Sequence, residues 1–302
     1  MKNITSVLFE NIVYTCFLVF VILYVLSCKK DAPPLDEITL ELQKITNLPS
    51  DLKESSGLYA ETDDRIWSHN DKGGDSKLYA FSKTGDLKKT VQISNASNKD
   101  WEDLAQDKNG YIYISDTGNN ENNRQDLKIY KIKKSDLENA SVNAEVINFV
   151  FSDQTQFPPP NSEMKYDVES LIATNDSLYL LTRDRTKPFK GQCNYYVLPQ
   201  EPGTYVAQHR GLFQTDSNED AGAIRGAAIS SDGEKIALLS KTDIWVFSDF
   251  SAGNFFNGTV KRHQLSSNTK KEGIDFIDNC TIFVSDEKGG DGGNLYSANI
   301  CL

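Results

Sequence analysis

The sequence is poor in the residues that soft metals and nucleic acids require. It holds three His and five Cys in 302 residues, and the cysteines are scattered, without the paired spacing of a zinc ribbon. Basic residues are outnumbered: 32 Lys and Arg face 43 Asp and Glu, a formal net charge of −11. With no basic surplus to neutralise phosphates, the composition argues against a nucleic-acid partner. Helical periodicity is nearly absent after residue 36, so helical bundles and α/β folds drop out. What remains is a globular composition, 38% hydrophobic and 25% charged, with an acidic balance that leaves the oxygen-seeking cations Ca²⁺ and Mg²⁺ open.

Long apolar runs are also scarce. One stands out, from Ile12 to Leu26, interrupted only by Tyr14, Thr15, Cys16 and Tyr24. It has the length of a signal-peptide core and is short for a membrane span. It ends Val25-Leu26-Ser27-Cys28, followed by Lys29, Lys30 and Asp31. An aliphatic residue three before a Cys, with a small residue just before it, resembles a bacterial lipobox. Residues 1–27 are therefore expected to be a lipoprotein signal peptide, with Cys28 lipidated and anchoring the chain to the membrane. A plain N-terminal membrane anchor is the alternative. Residues 28–36 read as a polar, Pro-containing tether. The expected location is extracytoplasmic, on the bacterial envelope, where disulfides persist. Removing residues 1–27 takes away Lys2 and Glu10 and leaves the net charge unchanged.

Residues 37–302 read as one all-β domain built from a repeat. Five segments share a strand, tight turn, strand pattern: 55–71, 101–117, 168–184, 224–242 and 271–287. Ser56 to Asn70, Glu102 to Asp116, Glu169 to Arg183 and Glu272 to Asp286 are each fourteen positions apart, and Arg225 to Lys241 is sixteen. A third strand follows each pair, with an aromatic in one column: Tyr79, Tyr130, Tyr196, Trp245 and Tyr296. That column is expected to be core between repeats. Four units add a fourth strand, and the N-terminal run 38–45 is available to complete the fifth. The expected fold is a five-bladed β-propeller whose N-terminal strand closes the last blade. A six-bladed ring is the alternative, if residues 153–166 hide a blade. Their three consecutive prolines favour an insertion loop instead. A hairpin with its turn at 287–294 would bring Cys280 and Cys301 together as a disulfide.

Propeller geometry would gather two columns at one mouth. The first is Ser56, Glu102, Glu169, Arg225 and Glu272; the second is Asn70, Asp116, Arg183, Lys241 and Asp286. Crowded carboxylates need a cation, a proton or an Arg partner. Glu102, Asp116, Glu272 and Asp286 are the expected ligands for Ca²⁺ or Mg²⁺. Arg183, Arg225, Lys241 and Asn70 form the expected ligand-binding face, suited to an anionic group. His69, beside Asp71, and Glu169 are the candidate general bases. An ion-pair network closing the channel, with Arg225 between Glu169 and Glu272, would also account for these charges.

The series ESSGL, WSHND, DWEDLA, YISDTGNN, DVESL, AAISSDGEKIAL and EGIDF resembles a family of secreted or lipid-anchored bacterial β-propellers without an assigned reaction. The resemblance covers about residues 50–302. Ser115 and Asn120 depart from its pattern, where Gly and Asp would be expected. The family is similar in spirit to NHL-type, phytase-like and gluconolactonase-like propellers, but a shared superfold does not transfer activity. Two functions follow as expectations. One is a monomeric, lipid-anchored propeller binding a small molecule or protein at its charged mouth. The other is a divalent-metal-dependent hydrolase of phosphoesterase or lactonase type acting on an anionic substrate.

Overall fold

The structure is a computed structural model and describes residues 37–251 and 253–301. The expected signal peptide 1–27, the lipidated Cys28 and the tether 28–36 lie outside the described residues. Strands β1 (Glu37–Leu40) and β2 (Gln43–Asn47) precede the repeats. The first repeat is β3 (Ser55–Thr62), β4 (Arg65–Asn70), β5 (Lys77–Phe81) and β6 (Leu87–Ile93). The second is β7 (Trp101–Gln106), β8 (Tyr111–Asp116), β9 (Lys128–Lys133) and, after the two-residue β10 (Ser141–Val142), β11 (Glu145–Phe151). The third is β12 (Asp167–Ala173), β13 (Ser177–Arg183), β14 (Gln192–Pro199) and β15 (Gly203–Gln214). The fourth is β16 (Gly226–Ile229), β17 (Ile236–Leu239), β18 (Asp243–Ser248) and β19 (Thr259–Leu265); the last is β20 (Lys271–Phe276), β21 (Thr281–Asp286) and β22 (Asn294–Asn299).

These strands form four hydrogen-bonded sheets. Three are single antiparallel repeats with an added strand. The fourth has eight strands, because the second and third repeats join through their outermost strands, β11 running parallel to β15. The other outer edges are covered too. β10 lies parallel to β6, and β1 lies parallel to β19. Covered edges leave few unpaired backbone groups to recruit another chain. The innermost strands pack in a circuit: β3 on β7, β7 on β12, β12 on β16, β16 on β20, and β20 back on β3. Radial antiparallel sheets around a closed inner ring make this a β-propeller.

The N-terminal run is not the single strand expected over 38–45. It breaks after Leu40, so that β1 pairs with β19 while β2 runs antiparallel to β22. Leu42 explains the break. Its side chain is buried among Ala237 and Ile244 of the fourth repeat and Val284 and Tyr296 of the last. Burying that leucine between two sheets steers the chain from one sheet edge to the next. Residues 153–166 form a loop with one short 3₁₀ turn at Asn161–Glu163.

The core lies between sheets, and the aromatic column organises it. Tyr130 packs with Trp67 and Leu78 of the first repeat, and Trp245 packs with Tyr179 and Leu181 of the third. Tyr79, Tyr196 and Tyr296 likewise sit against the preceding repeat. Burying one such ring stabilises the fold by roughly 1.5–3 kcal/mol. At the axis the inner strands come too close for ordinary side chains. A β-carbon on Gly57, whose φ is +63°, would stand 2.7 Å from the Leu104 amide nitrogen. Beside it, the buried Asp103 carboxylate accepts hydrogen bonds from the amides of Leu104 and Leu171, 2.8 Å each, and from Ala227. One carboxylate thus ties three inner strands. Cys280 and Cys301 are joined as a disulfide across the base of the last hairpin, with Cα atoms 5.3 Å apart; Cys193 is a buried thiol.

Candidate functional site

The mouth is built where the inner strands begin, and β-bulges aim its side chains. Val168 pairs with Thr182 and Ser170 with Leu181, which leaves Glu169 as the extra residue. Lys271 pairs with Asp286 and Gly273 with Ser285, which leaves Glu272. In the second repeat the register slips between Trp101 and Leu104, around Glu102. A bulge releases its residue from the ladder and turns the side chain away from the regular alternation. Glu102, Glu169 and Glu272 are all nine-tenths buried or more.

Burial favours the protonated form of a carboxylate, and a guanidinium partner opposes it; at Glu272 burial prevails and raises the carboxyl against the pull of Arg225. Arg225 Nη1 meets Glu272 Oε1 at 2.5 Å, and Lys270 Nζ lies 3.2 Å from the same oxygen. Glu169 Oε1 is 3.3 Å from Arg183 Nη1 and 2.7 Å from Arg185 Nη2. Burial alone would raise Glu169, but Arg183, Arg185 and Arg225 together pull its carboxyl below the usual range. Arg185 also holds Asp167 Oδ2 at 2.5 Å. Burial and the neighbouring Glu169 nevertheless push Asp167 up to about 6.

Glu102 is different. Among the described residues no donor bonds its carboxylate. Burial, then the charges of Glu169, Asp71, Asp167 and Asp100, raise its carboxyl well above the usual range. It belongs to two carboxylate triads whose ligand oxygens lie within 4.8 Å of one another: Asp71–Asp100–Glu102 and Glu102–Asp167–Glu169. The second triad already contains two guanidiniums. Among the described residues the first is ion-paired by Lys72 alone, whose ammonium is 3.1 Å from Asp100 and whose side chain is 64% exposed. Asp71 is pushed up to about 7 by burial and by Asp100, Glu169 and Glu272, against the pull of the Lys72 amide. The first triad is therefore short of positive charge and suits a hard divalent cation. Gly118 makes room for it: a β-carbon there would overlap Glu102 Oε1 and stand 2.6 Å from Asp100 Cγ. A cleft of about 550 Å³, lined by Lys72, Lys99, Asp100, Asn119, Asn120 and Arg124 among others, opens beside the triad.

The expected ligand quartet does not assemble. Of its members only Glu102 belongs to either triad. Asp116 is bound by Arg124 at 2.9 Å, and Asp286 accepts hydrogen bonds from the Asn294 amide and the Tyr296 hydroxyl. Glu272 is taken by Arg225 and Lys270. Register explains the separation: Asp116 stands opposite Trp101, and Asp286 opposite Lys271. Each therefore faces the side opposite to the first-column residue one step further on. Arg183 is opposite Asp167 and so shares a face with Glu169.

Other expected roles change as well. Asn70 accepts hydrogen bonds from the Lys53 and Glu54 amides and donates to the Asp51 carbonyl, so it clamps backbone. Lys241 pairs with Asp220 at 2.9 Å, away from the carboxylate triads. Arg225 does not bridge two glutamates; it bonds Glu272, while Arg183 and Arg185 take Glu169. His69 is fully buried edge-on to Trp101, its Nδ1 bonded to the Asn70 carbonyl, and burial lowers its pKa to about 4. A neutral, enclosed imidazole is a poor general base, and so is a Glu169 held ionised by guanidiniums.

Asp100, Asp167, Arg185 and Lys270 lie outside the two sequence columns, yet a signal for them exists. Asp100-Trp101-Glu102 and Asp167-Val168-Glu169 place two acids on one strand face at the same point of two repeats. Lys270 stands in the same relation to Glu272, and Arg185 to Arg183.

Solved structures offer loose likenesses. Streptogramin B lyase matches with 12% identity and a TM-score of 0.41, covering 86% of this chain and 97% of that one. PQQ-bound aldose sugar dehydrogenase from Streptomyces coelicolor matches at 9% identity and 0.46, covering 89% and 99%. A protein of unknown function from Bacteroides thetaiotaomicron VPI-5482 matches at 10% identity and 0.47, covering 85% and 75%. Likeness at this level does not bear on the reaction. No protein-family model and no curated protein matches the sequence.

Proposed function

We propose that this chain is a lipid-anchored envelope propeller of five blades that holds a divalent cation at its charged mouth and binds a ligand there. The blade count is supported by the inner ring of β3, β7, β12, β16 and β20, with the eight-stranded sheet counted as two blades joined at their rims. The anchor rests on the Val25-Leu26-Ser27-Cys28 pattern. The observation that carries the cation is Glu102, buried, without a hydrogen-bond donor among the described residues, and shared by two acid triads. Asp71, Asp100 and Glu102 would supply three carboxylates, enough to offset a dication and the nearby Lys72. Ca²⁺ fits this reading well, since it accepts irregular oxygen shells completed by water or ligand oxygens. The neighbouring cleft gives such a ligand room. Binding rather than hydrolysis is favoured because His69 is enclosed and Glu169 is locked in ion pairs. The test is equilibrium dialysis of the purified protein against Ca²⁺ and Mg²⁺ with metal analysis. About one ion per chain in wild type and none in Glu102→Gln supports the reading; no bound ion in wild type rejects it.

A further inference from the structure

A cavity lies at the other end of the strands, among the turns that join β7 to β8, β12 to β13 and β16 to β17. Its volume is about 610 Å³, the size of a small-molecule site. Its apolar side is aromatic. Tyr179 and Phe255 meet with centroids 4.6 Å apart at 62°, and Phe250 meets Phe255 at 5.4 Å and 82°. Rings set edge to face form the walls of a corner, not a flat platform on which a sugar ring would stack. The rim is acidic: Asp107, Asp176 and Asp232 line the cavity with a single cation, Lys108. Asp107 is spent on its own turn, bonding the Asn109 and Tyr111 amides and the Tyr113 hydroxyl. Asp176 and Asp232 each commit one oxygen, Oδ1, to Thr174 and to Ser230. Among the described residues no donor bonds their second oxygens.

Angled aromatic walls attract a cation through their ring faces, and the open carboxylate oxygens complement it. We propose that this cavity binds an organic ammonium ion, its alkyl groups against Tyr179, Phe250 and Phe255 and its charge toward Asp176 and Asp232. The site is separate from the mouth and independent of any metal there.

Ligand-observed NMR titration in EDTA tests this with choline, tetramethylammonium and the neutral choline isostere 3,3-dimethylbutan-1-ol. At least one cation should bind saturably at millimolar concentration, with the neutral isostere about tenfold weaker or worse, the difference that charge adds. Asp176→Asn combined with Asp232→Asn should weaken the cation about tenfold without altering the melting temperature, because both acids are exposed. Phe250→Ala should weaken it independently. No saturable binding by either cation would overturn the proposal. So would equal binding of the neutral isostere, or wild-type affinity in the double variant.

Discussion

Gly118 stands directly against the carboxylate of Glu102, so close that a single added methyl group would overlap Glu102 Oε1. The loop that carries Gly118 is fixed to the next repeat. Thr117 Oγ1 donates to the Val168 carbonyl at 2.9 Å, and the Asn119 amide donates to Asp167 Oδ1 at 2.5 Å. Gly118 cannot retreat without breaking those bonds, so Glu102 and Asp100 would have to move. Gly118→Ala should therefore leave the fold intact and weaken Ca²⁺ binding at least tenfold, although no carboxylate is changed. Calorimetric titration beside a thermal melt checks this. Unchanged affinity would mean that Glu102 and Asp100 do not hold the ion in the arrangement seen.

Breaking the Arg225–Glu272 pair should destabilise the protein. Arg225→Gln leaves a buried carboxylate whose remaining ion pair among the described residues is Lys270, which should cost about 3 kcal/mol, the low end for an uncompensated buried charge. Arg225→Gln combined with Glu272→Gln should recover most of that loss. Urea unfolding of the two variants measures both. Equal destabilisation in the single and double variants would contradict the pairing.

His69 sets a pH dependence with a definite sign. Its folded pKa is lowered from 6.5 to about 4 by burial, so the unfolded chain takes up a proton first as the pH falls. The stability that His69 supports is complete above pH 6.5 and lost as pH falls toward 4, by about 3 kcal/mol. Asp275 works in the opposite sense. Burial raises it to about 7, against the pull of the Ala60 and Phe276 amides, so its contribution weakens as pH rises from 3.8 toward 7. The readout for His69 is thus a difference: relative to wild type, His69→Gln should gain about 3 kcal/mol between pH 7 and pH 4. A pH-independent difference would show that the imidazole is not held neutral.

The Cys280–Cys301 disulfide closes a span of 21 residues. Chain-entropy reasoning gives about 3 kcal/mol for a loop of that length. Cys280→Ser should lower the melting temperature by several degrees, and reduction of wild type should do the same. A variant as stable as wild type would show that the bond does not restrain the chain where β2 completes the last sheet.

Much of the architecture was legible in the sequence. The aromatic column from Tyr79 to Tyr296 lies between sheets because every third strand sits at the same depth in its repeat. The spacing from Glu102 to Asp116 located the strands but not the faces. A bulge shifts pairing by one residue, and one residue reverses the side to which every later side chain points. That is why Asp116 and Asp286 keep a regular spacing from Glu102 and Glu272 yet face elsewhere. Asn70 and Lys241 stood in the right column, but local backbone and Asp220 took their polar groups. Arg185 lies just past a strand end, where alternation alone gives little direction.

The most direct test of the cation site is the melting temperature of wild type and Glu102→Gln with Ca²⁺ and with EDTA. A ligand bound only by the folded state stabilises it by about 2.7 kcal/mol at a hundred times its Kd. The expected result is a rise of several degrees with Ca²⁺ in wild type and no response in Glu102→Gln. Identical melting with and without Ca²⁺ in wild type, or the same rise in both proteins, would contradict it.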